Sequence, residues 1–413
     1  MKDMRGVWLP ATGSQVLFSK ENTIDAINRL ADAGFNTVCP NVWWRGYTLY
    51  PSQVMNERFG VEIKPDFAGR DPLADVVEAA KTAGLKVIAW FEYGFIASYQ
   101  ANGGHILAQY PHWAAQDSNQ QPLPENFDWM NGLHPEVQEF ILSLFLEVAT
   151  NYDIDGLQGD DHLSIPVKSG YDPYTIEAYY QEFGEKPPIK YKDKNWMRWR
   201  SDRLTDFIAR LYQAIKLLNP QLLVSMAPSE YPFSYENFLV NSPEWLERGI
   251  VDTLHPQLYH AGVQGYRSSV TNTQAYASAQ IAKVFPGMAL EPNQKRFSPD
   301  DFWTCIQHNR QAGIRGECLW VYEQLRKNDD EVLRYLQAKN YGDRTKHLVI
   351  RRGMSGDDVA EIQQLLVAKG YDIGPIDGQF GARTDMAVRA FQKQNGLLSD
   401  GIVGAQTYAK LIA

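Results

Sequence analysis

Six acidic side chains stand at the ends of apolar, strand-like runs, and those positions suit acid–base chemistry. Glu92 follows Trp90-Phe91, Asp160 and Asp161 close the run that opens at Gly156, Glu230 follows Leu222–Ala227, Glu291 follows Val284–Leu290, and Glu323 follows Glu317–Tyr322. Cleaving a glycosidic bond needs one carboxylic acid to protonate the leaving oxygen. A second carboxylate acts as base or nucleophile, unless the substrate supplies that group. The sharpest local signal is Asp155-Gly156-Leu157-Gln158-Gly159-Asp160-Asp161-His162. Two adjacent carboxylates in a cleft repel, which raises one pKa toward the range of an acid catalyst. Asp160 or Asp161 is therefore the candidate general acid, its neighbour orienting substrate or adjusting that pKa. Glu92 and Glu323 are the next candidates for the second carboxylate. Strand alternation puts Gln158, Asp160 and His162 on one face and Asp161 on the other, unless the strand ends first and Asp161 turns inward. Asp155 reads as a turn residue. A divalent cation on Asp160, Asp161 and His162 is the bland alternative, but no further ligand spacing accompanies them, so neither metal nor cofactor is expected.

Flat rings accompany these acids. Trp8, Trp43, Trp44, Trp90, Trp320 and Tyr322 lie in or at the ends of the first, second, third and eighth runs. An aromatic face stacks on the C–H face of a sugar, and the alternative for any one of them is packing between barrel and helix. His255, Gln257 and Tyr259 alternate onto one face of the sixth run, where they either hydrogen-bond sugar hydroxyls or close a polar layer of the core. With His162 and Glu230 they complete the list of candidate substrate-binding residues.

The elements that must position these groups alternate from Arg5 to about Leu336. Candidate strands are Gly6–Leu9, Thr37–Trp44, Lys86–Tyr93, Gly156–His162, Leu222–Ala227, Val251–Tyr259, Val284–Leu290 and Glu317–Tyr322, with an amphipathic helix pattern after most. Eight such units predict an α/β fold, a closed (β/α)8 TIM-type barrel, with a doubly wound open sheet as the alternative. In a barrel the reactive groups come from the carboxyl ends of the strands. The loop from Gly94 to Leu133 is rich in Pro, Gln and Asn, and its length suggests a lid.

Residues 1–341 form this expected barrel domain, residues 342–350 a linker, and residues 351–413 a second unit with an internal echo. Asp377-Gly378-Gln379-Phe380-Gly381-Ala382-Arg383-Thr384 and Asp400-Gly401-Ile402-Val403-Gly404-Ala405-Gln406-Thr407 share the pattern DGxΦGxxT. Asp-Gly favours a tight turn and Thr is suited to cap the next helix. Ser355 with Asp358 resembles a capping box. A small all-α domain of three helices follows.

Bulk properties exclude other classes. With 40 Lys/Arg against 49 Asp/Glu the formal charge is −9, which lacks the basic face of a nucleic-acid binder. The echo-bearing unit runs the other way: residues 344–413 carry nine Lys/Arg against seven Asp/Glu, a net of +2. No stretch reaches the roughly 18 apolar residues of a membrane span. Cys39, Cys305 and Cys318 have neither metal nor redox spacing, so buried free thiols are expected, with a Cys305–Cys318 bridge as the alternative. A monomer is expected. Met1–Met4 runs straight into the first candidate strand without a leader.

Residues 351–413 resemble the peptidoglycan-binding type 1 domain of bacteria, through Gly353, Gly356-Asp357-Asp358-Val359, Leu365, Gly370-Tyr371, Ala387-Val388, Phe391-Gln392 and the two DGxΦGxxT motifs. The larger part resembles the glycosyl-hydrolase-like 10 family. The likeness is carried by Arg5-Gly6-Val7-Trp8, Phe35-Asn36-Thr37-Val38, Asp71-Pro72-Leu73, Gly84 to Trp90, Asp155-Gly156-Leu157 with Asp160-Asp161, Val251-Asp252 and Pro256-Gln257-x-Tyr259. Bacterial members of that family include enzymes that cut peptidoglycan strands stripped of peptide. The resemblance implies endo-hydrolysis of N-acetylhexosamine linkages, peptidoglycan or a related polysaccharide as partner, the paired aspartates as catalytic groups, and a place in the cell envelope after export to the periplasm or the outside. Two positions depart from the pattern: Glu92-Tyr93 stands where many relatives have an Asn-Pro type pair, and His162 where an aromatic is common. The order DGLxxDxH is also similar to chitinase barrels, but His162 takes the place of their acid. The competing functions are hydrolysis of another envelope or sheath polysaccharide, and non-catalytic glycan binding by a wall-attached barrel.

Overall fold

The computed structural model describes residues 3–123, 126–339, 341–342, 350–397 and 399–412. Each of the eight apolar runs forms a parallel strand: β1 Met4–Leu9, β2 Thr37–Pro40, β3 Lys86–Phe91, β4 Gly156–Asp160, β5 Leu223–Ala227, β6 Thr253–Leu254, β7 Gly287–Ala289 and β8 Gly316–Trp320. Their spatial order is β6-β5-β4-β3-β2-β1-β8-β7, and the parallel bridges Leu254↔Val284 and Gln257↔Gly287 join the two ends of that row into a closed barrel. A helix packs after each strand: α1 Lys20–Asp32, α2 Pro72–Ala83, α3 Pro135–Asn151, α4 Lys194–Leu218, α5 Ser242–Glu247, α6 Val263–Ala277, α7 Pro299–Gln311 and α8 Tyr322–Ala338, with further short helices in the loops after β2, β3, β4 and β5. The sequence Asp71-Pro72 shows how such a helix starts, the Asp71 carboxylate accepting the Ala74 N–H while Pro72 fills the first turn.

Period-two alternation splits the apolar residues between two cores. Val7, Leu9, Val87, Ala89 and Phe91 face the surrounding helices, whereas Trp8, Cys39, Ile88, Trp90, Phe285 and Cys318 fill the barrel interior. The upper interior is plugged by three indoles: Trp8, Trp90 and Trp320 have ring centroids 5.7 to 6.1 Å apart in tilted and edge-on contacts. All three cysteines are free and buried.

Several strands stop earlier than the apolar runs. β2 ends at Pro40, and Trp43–Trp44 pairs instead with Tyr47–Thr48 in a hairpin. β4 ends at Asp160, and Tyr322 begins α8 rather than ending β8. The segment after β3 is not structureless: Ile96–Tyr99 pairs with Phe127–Trp129 and helix Gly104–Gln109 lies between them.

A separate core gathers Ile350, Val359, Ile362, Phe380, Phe391 and Val403 among α9 Asp357–Ala368, α10 Ala382–Gln394 and α11 Ala405–Ile412. The expected linker at 342–350 falls mostly on residues 343–349, which lie outside the described residues. The echo has a physical cause here. Gln363 Nε2 donates to Asp377, to the Gln379 carbonyl and to Thr384, and its Oε1 accepts the Gly378 N–H. Gln392 repeats the same four bonds with Asp400, Ile402, Thr407 and Gly401. A buried amide must satisfy both donors and its acceptor, and each motif does so around one glutamine. Thr384 therefore serves the glutamine and does not cap its helix, which starts at Gly381 without a side-chain cap. The capping box is likewise absent: Gly356 is the N-cap of α9, and Asp358 lies 3.0 Å from Arg315 of the barrel.

Candidate active site

At the end of β4 the chain turns, Leu163 N–H donating to the Asp160 carbonyl at 2.9 Å. Asp160 stays inward and is 7% exposed. Both of its oxygens are held, Oδ2 by Trp90 Nε1 at 2.8 Å and Oδ1 by Gln257 Nε2 at 2.7 Å. Asp161 lies beyond the strand, so alternation no longer governs it. Its side chain is 30% exposed and sits 2.9 Å from His162 Nδ1. That nitrogen is also 3.2 Å from the Glu92 carbonyl; since both neighbours only accept, Nδ1 carries a proton. Glu92, 6% exposed at the end of β3, takes a hydrogen bond from Asn41 Nδ2. Close backbone approach brings the two strand ends together at Gly94, where a Cβ would meet Leu163 N at 2.3 Å and the His162 carbonyl oxygen at 2.4 Å.

Three carboxyl groups in one partly buried site cannot all ionise cheaply. Burial, and then the charge of Asp161, pushes Glu92 up to about 8, against an opposing pull from Arg45. The same two causes hold Asp160 well above the usual carboxylate range. Burial alone would lower His162, but Asp161, Asp160 and the Glu92 carbonyl together outweigh it and the net direction is up. The Tyr259 phenol is pushed up by burial and by Asp160, and its buried oxygen has no hydrogen-bond partner among the described residues. At neutral pH, then, Glu92 keeps its proton beside Asp161. A protonated carboxyl group thus stands near a second, more exposed one that an imidazole flanks.

The other sequence candidates divide into rim and interior. Trp44, Gln257, Tyr259, Trp320, His162 and Glu323 are partly exposed. Trp320 lies 6.1 Å from Tyr259. Glu323 is pushed up by burial and stands beside Ser14. Trp8 and Trp90 do not present a stacking face: both are buried, and their N–H groups go to Gln158 and Asp160. Trp43 is likewise not at the mouth, being buried against Phe140 with its N–H on the Gly94 carbonyl. Tyr322 packs at the start of α8, where Arg326 donates to its hydroxyl. His255 lies in the barrel interior, stacked on Phe285 and bonded to Thr253, the layer-closing alternative. Glu230 is occupied by His260 at 2.6 Å and Ser269 at 3.1 Å. Glu291 pairs with Arg296 and Lys327. Asp155 accepts the Val87 N–H and so ties β4 to β3.

Sequence reasoning missed Asn41, which holds Glu92, and the group Thr12, Arg45, Tyr93 and Tyr99. Thr12 accepts the Trp44 N–H at 2.8 Å and lies 3.4 Å from the Tyr93 hydroxyl. Tyr93 stacks on His162, whose other flanks meet Phe127 and Trp129 from the hairpin after β3. Arg45-Gly46 between Trp44 and Tyr47 was the available signal, since Gly there suits a hairpin turn.

His112, His134 and Glu136 place ligand atoms within 4.8 Å of one another. Here they serve the start of α3: His134 Nδ1 accepts the Glu136 N–H, and Trp113 Nε1 donates to the Glu136 carboxylate. A cavity of about 340 Å³ opens elsewhere, between the barrel and the C-terminal unit. Two of its cations, Arg310 and Arg315, are already paired with Glu317 and Asp358.

The model of the family described as Glycosyl hydrolase-like 10 matches residues 3–289, and that of a peptidoglycan binding domain matches residues 355–411. Glycosyl hydrolase YngK of Bacillus subtilis (strain 168) is 23% identical over 371 residues, 79% of this chain and 69% of the relative. Glycosyl hydrolase DigH of Escherichia coli (strain K12) is 25% identical over 308 residues, 62% of this chain; that match spans 65% of the relative's length. Among solved structures, the PgaB (BpsB) glycoside hydrolase domain from Bordetella bronchiseptica superposes with a TM-score of 0.62 at 15% identity. It covers 81% of this chain and 99% of that one, and the likeness is one of fold. Among the described residues no helix is long and apolar enough to cross a membrane.

Proposed function

The chain belongs to the glycosyl hydrolase-like 10 family, and from that premise we propose that it is a glycoside hydrolase of cell-wall polysaccharide, cleaving the glycan strands of peptidoglycan. The observation that carries this reading is the convergence of Glu92, Asp160 and Asp161 at the carboxyl ends of β3 and β4, in a chain that also bears a peptidoglycan-binding domain. Glu92, protonated up to about pH 8, is assigned as the donor to the leaving oxygen. Asp161, the most exposed of the three, takes the proton of the attacking nucleophile. That nucleophile is water or, with N-acetylhexosamines, the 2-acetamido group. Asp160, with both oxygens held, orients Asp161 and the substrate and is not free to shuttle protons itself. The barrel of residues 1–341 and the module of residues 351–413 are proposed as separate domains, the second keeping the first at the cell envelope.

Purified glycan strands, chitin-like oligomers and a neutral polysaccharide should be digested in parallel, with new reducing ends counted and products mass-analysed. We expect cleavage of the glycan strands, and losses of about 10²-fold or more for Glu92→Gln and Asp161→Asn. Full activity in both Asp160→Asn and Asp161→Asn would sink the assignment. Retention of glycan without new ends at any pH would sink the enzyme.

A further inference from the structure

Among the described residues six large aromatic side chains are exposed: Tyr99, Tyr174, Tyr180, Phe183, Tyr191 and Phe233. All six lie in three neighbouring loops, those after β3, β4 and β5, at the carboxyl end of the barrel. The surrounding helices and the C-terminal unit expose aliphatic side chains instead. A single exposed apolar residue needs no explanation, but rings gathered on one rim mark a binding surface. Two of them are tied to the candidate site by rings in contact. His162 meets Phe127 at 4.8 Å between centroids, and Phe127 meets Tyr99 at 5.3 Å. Along a second route His162 meets Trp129 at 5.7 Å, Trp129 meets Phe238 at 6.4 Å and Phe238 meets Phe233 at 6.0 Å. Backbone fixes both ends. Tyr99 is paired with Phe127 across the hairpin after β3. The short helix Phe233–Phe238 accepts the Ile165 and Val167 N–H groups at its Phe238 and Asn237 carbonyls, at 3.0 and 2.8 Å, which stitches it to the chain just past His162. Tyr99 is 37% exposed and Phe233 54%, and β4, which leads into the paired aspartates, runs between β3 and β5.

A rigid ring held at a rim offers its face to the C–H face of a pyranose at little cost in entropy. Trp8, Trp43 and Trp90 are buried and offer none. We infer that Tyr99 and Phe233 are outlying sugar platforms on opposite sides of the reactive carboxyls, so that the site takes a polysaccharide laid across the ends of β3, β4 and β5 and prefers a long chain to a short one. Stacking of this kind reads pyranose rings and not their charge, so the two residues select for chain length. The inference rests on the glycosidase reading above and adds which side chains hold the polymer beyond the cleaved bond.

The test uses glycan strands of peptidoglycan from one preparation, fractionated into long strands and the shortest oligomers that are cut. Each fraction is digested by the full chain and by its Phe233→Ala, Tyr99→Ala and Tyr99→Phe variants. The quantity read is the ratio of kcat/KM for long over short strands, which is independent of the fraction folded. Any effect on the reacting groups that both substrates share also cancels in it. The unsubstituted protein should favour the long strands by about 10-fold or more. Phe233→Ala and Tyr99→Ala should each lower the ratio about 3- to 10-fold, the worth of one ring contact, and Tyr99→Phe should hold it because the ring remains. On an oligomer labelled at one end, the two alanine variants should move the preferred cut in opposite directions. Equal cleavage of long and short strands by the unsubstituted protein overturns the inference and leaves the glycosidase reading standing. A preference that survives both alanine variants also overturns it, since the C-terminal unit would then be its source. Shifts of the cut in one shared direction overturn the placement on opposite sides. A dimer that Phe233→Ala dissolves, with the ratio unchanged, makes the ring an interface between copies and overturns the inference too. Failure to cleave any strand removes both readings together.

Discussion

At the scale of single residues the site is organised by desolvation. Glu92 is an ordinary carboxyl in sequence and an unusual one in place, because burial and the neighbouring Asp161 move it from 4.5 to about 8. Two outcomes follow from that one shift. If Glu92 must be protonated to work, kcat/KM falls as pH rises through about 8, and a pH–rate profile on glycan strands checks it. Stability moves the same way. A carboxyl whose folded pKa is raised costs the folded state nothing below 4.5 and progressively more up to about 8. Glu92→Gln removes that titration. The variant should therefore be inactive yet more stable at pH 8, by roughly 1–3 kcal/mol, with the gain vanishing near pH 4. Urea melts at the two pH values measure it.

At the scale of elements, position depends on where strands stop and how closely loops approach. Gly94 lets the end of β3 touch the turn after β4, and a methyl group there would strike the peptide group between His162 and Leu163, at Leu163 N and at His162 C and O. Backbone cannot swing away as a side chain can. Gly94→Ala is thus expected to displace Asp161 and His162 and lower kcat by about 10-fold or more, while circular dichroism stays native in shape. At the opposite end of the barrel Glu317 on β8 is fully buried, with both oxygens on Arg310 at 2.8 Å and further bonds from Asn309 and Tyr341. Burial would raise its pKa, but Arg310 outweighs that and the net direction is down. The stabilisation is therefore complete above 4.5 and lost as pH falls through the lower folded value. Glu317→Ala would strand the Arg310 charge and should cost about 3–5 kcal/mol in denaturant unfolding, with catalytic geometry untouched in whatever fraction folds.

At the scale of the whole molecule, the chain packs around two separate hydrophobic cores. The carboxylates stand at the carboxyl ends of the strands. Arg315, which meets Asp358 of the C-terminal unit, precedes β8 and so lies at the amino end. The C-terminal unit thereby meets the barrel at the end opposite those carboxylates. Ending the chain after Gly342 should leave cleavage of short soluble glycans within about threefold and abolish retention on sedimented wall material; equal sedimentation of both forms would show that the barrel itself anchors the protein.

The eight strands and the order of α and β were legible because period-two runs and amphipathic helices are local properties, and the turn motifs of the C-terminal unit are local too. So were Asp160, Asp161 and Glu92 as groups near strand ends. Their proposed division of roles was not, since a pKa depends on what lies across the barrel: Gln257 after β6, Asn41 after β2, Arg45 in a hairpin. Which tryptophans reach the rim was equally hidden. Trp43 and Trp44 are neighbours in sequence, yet the end of β2 at Pro40 sends one into the helix layer and the other to the rim. Burial belongs to the packed chain and to no residue alone, so the sequence determined the scaffold and the list of acids, and the closing of the barrel decided which acid keeps its proton.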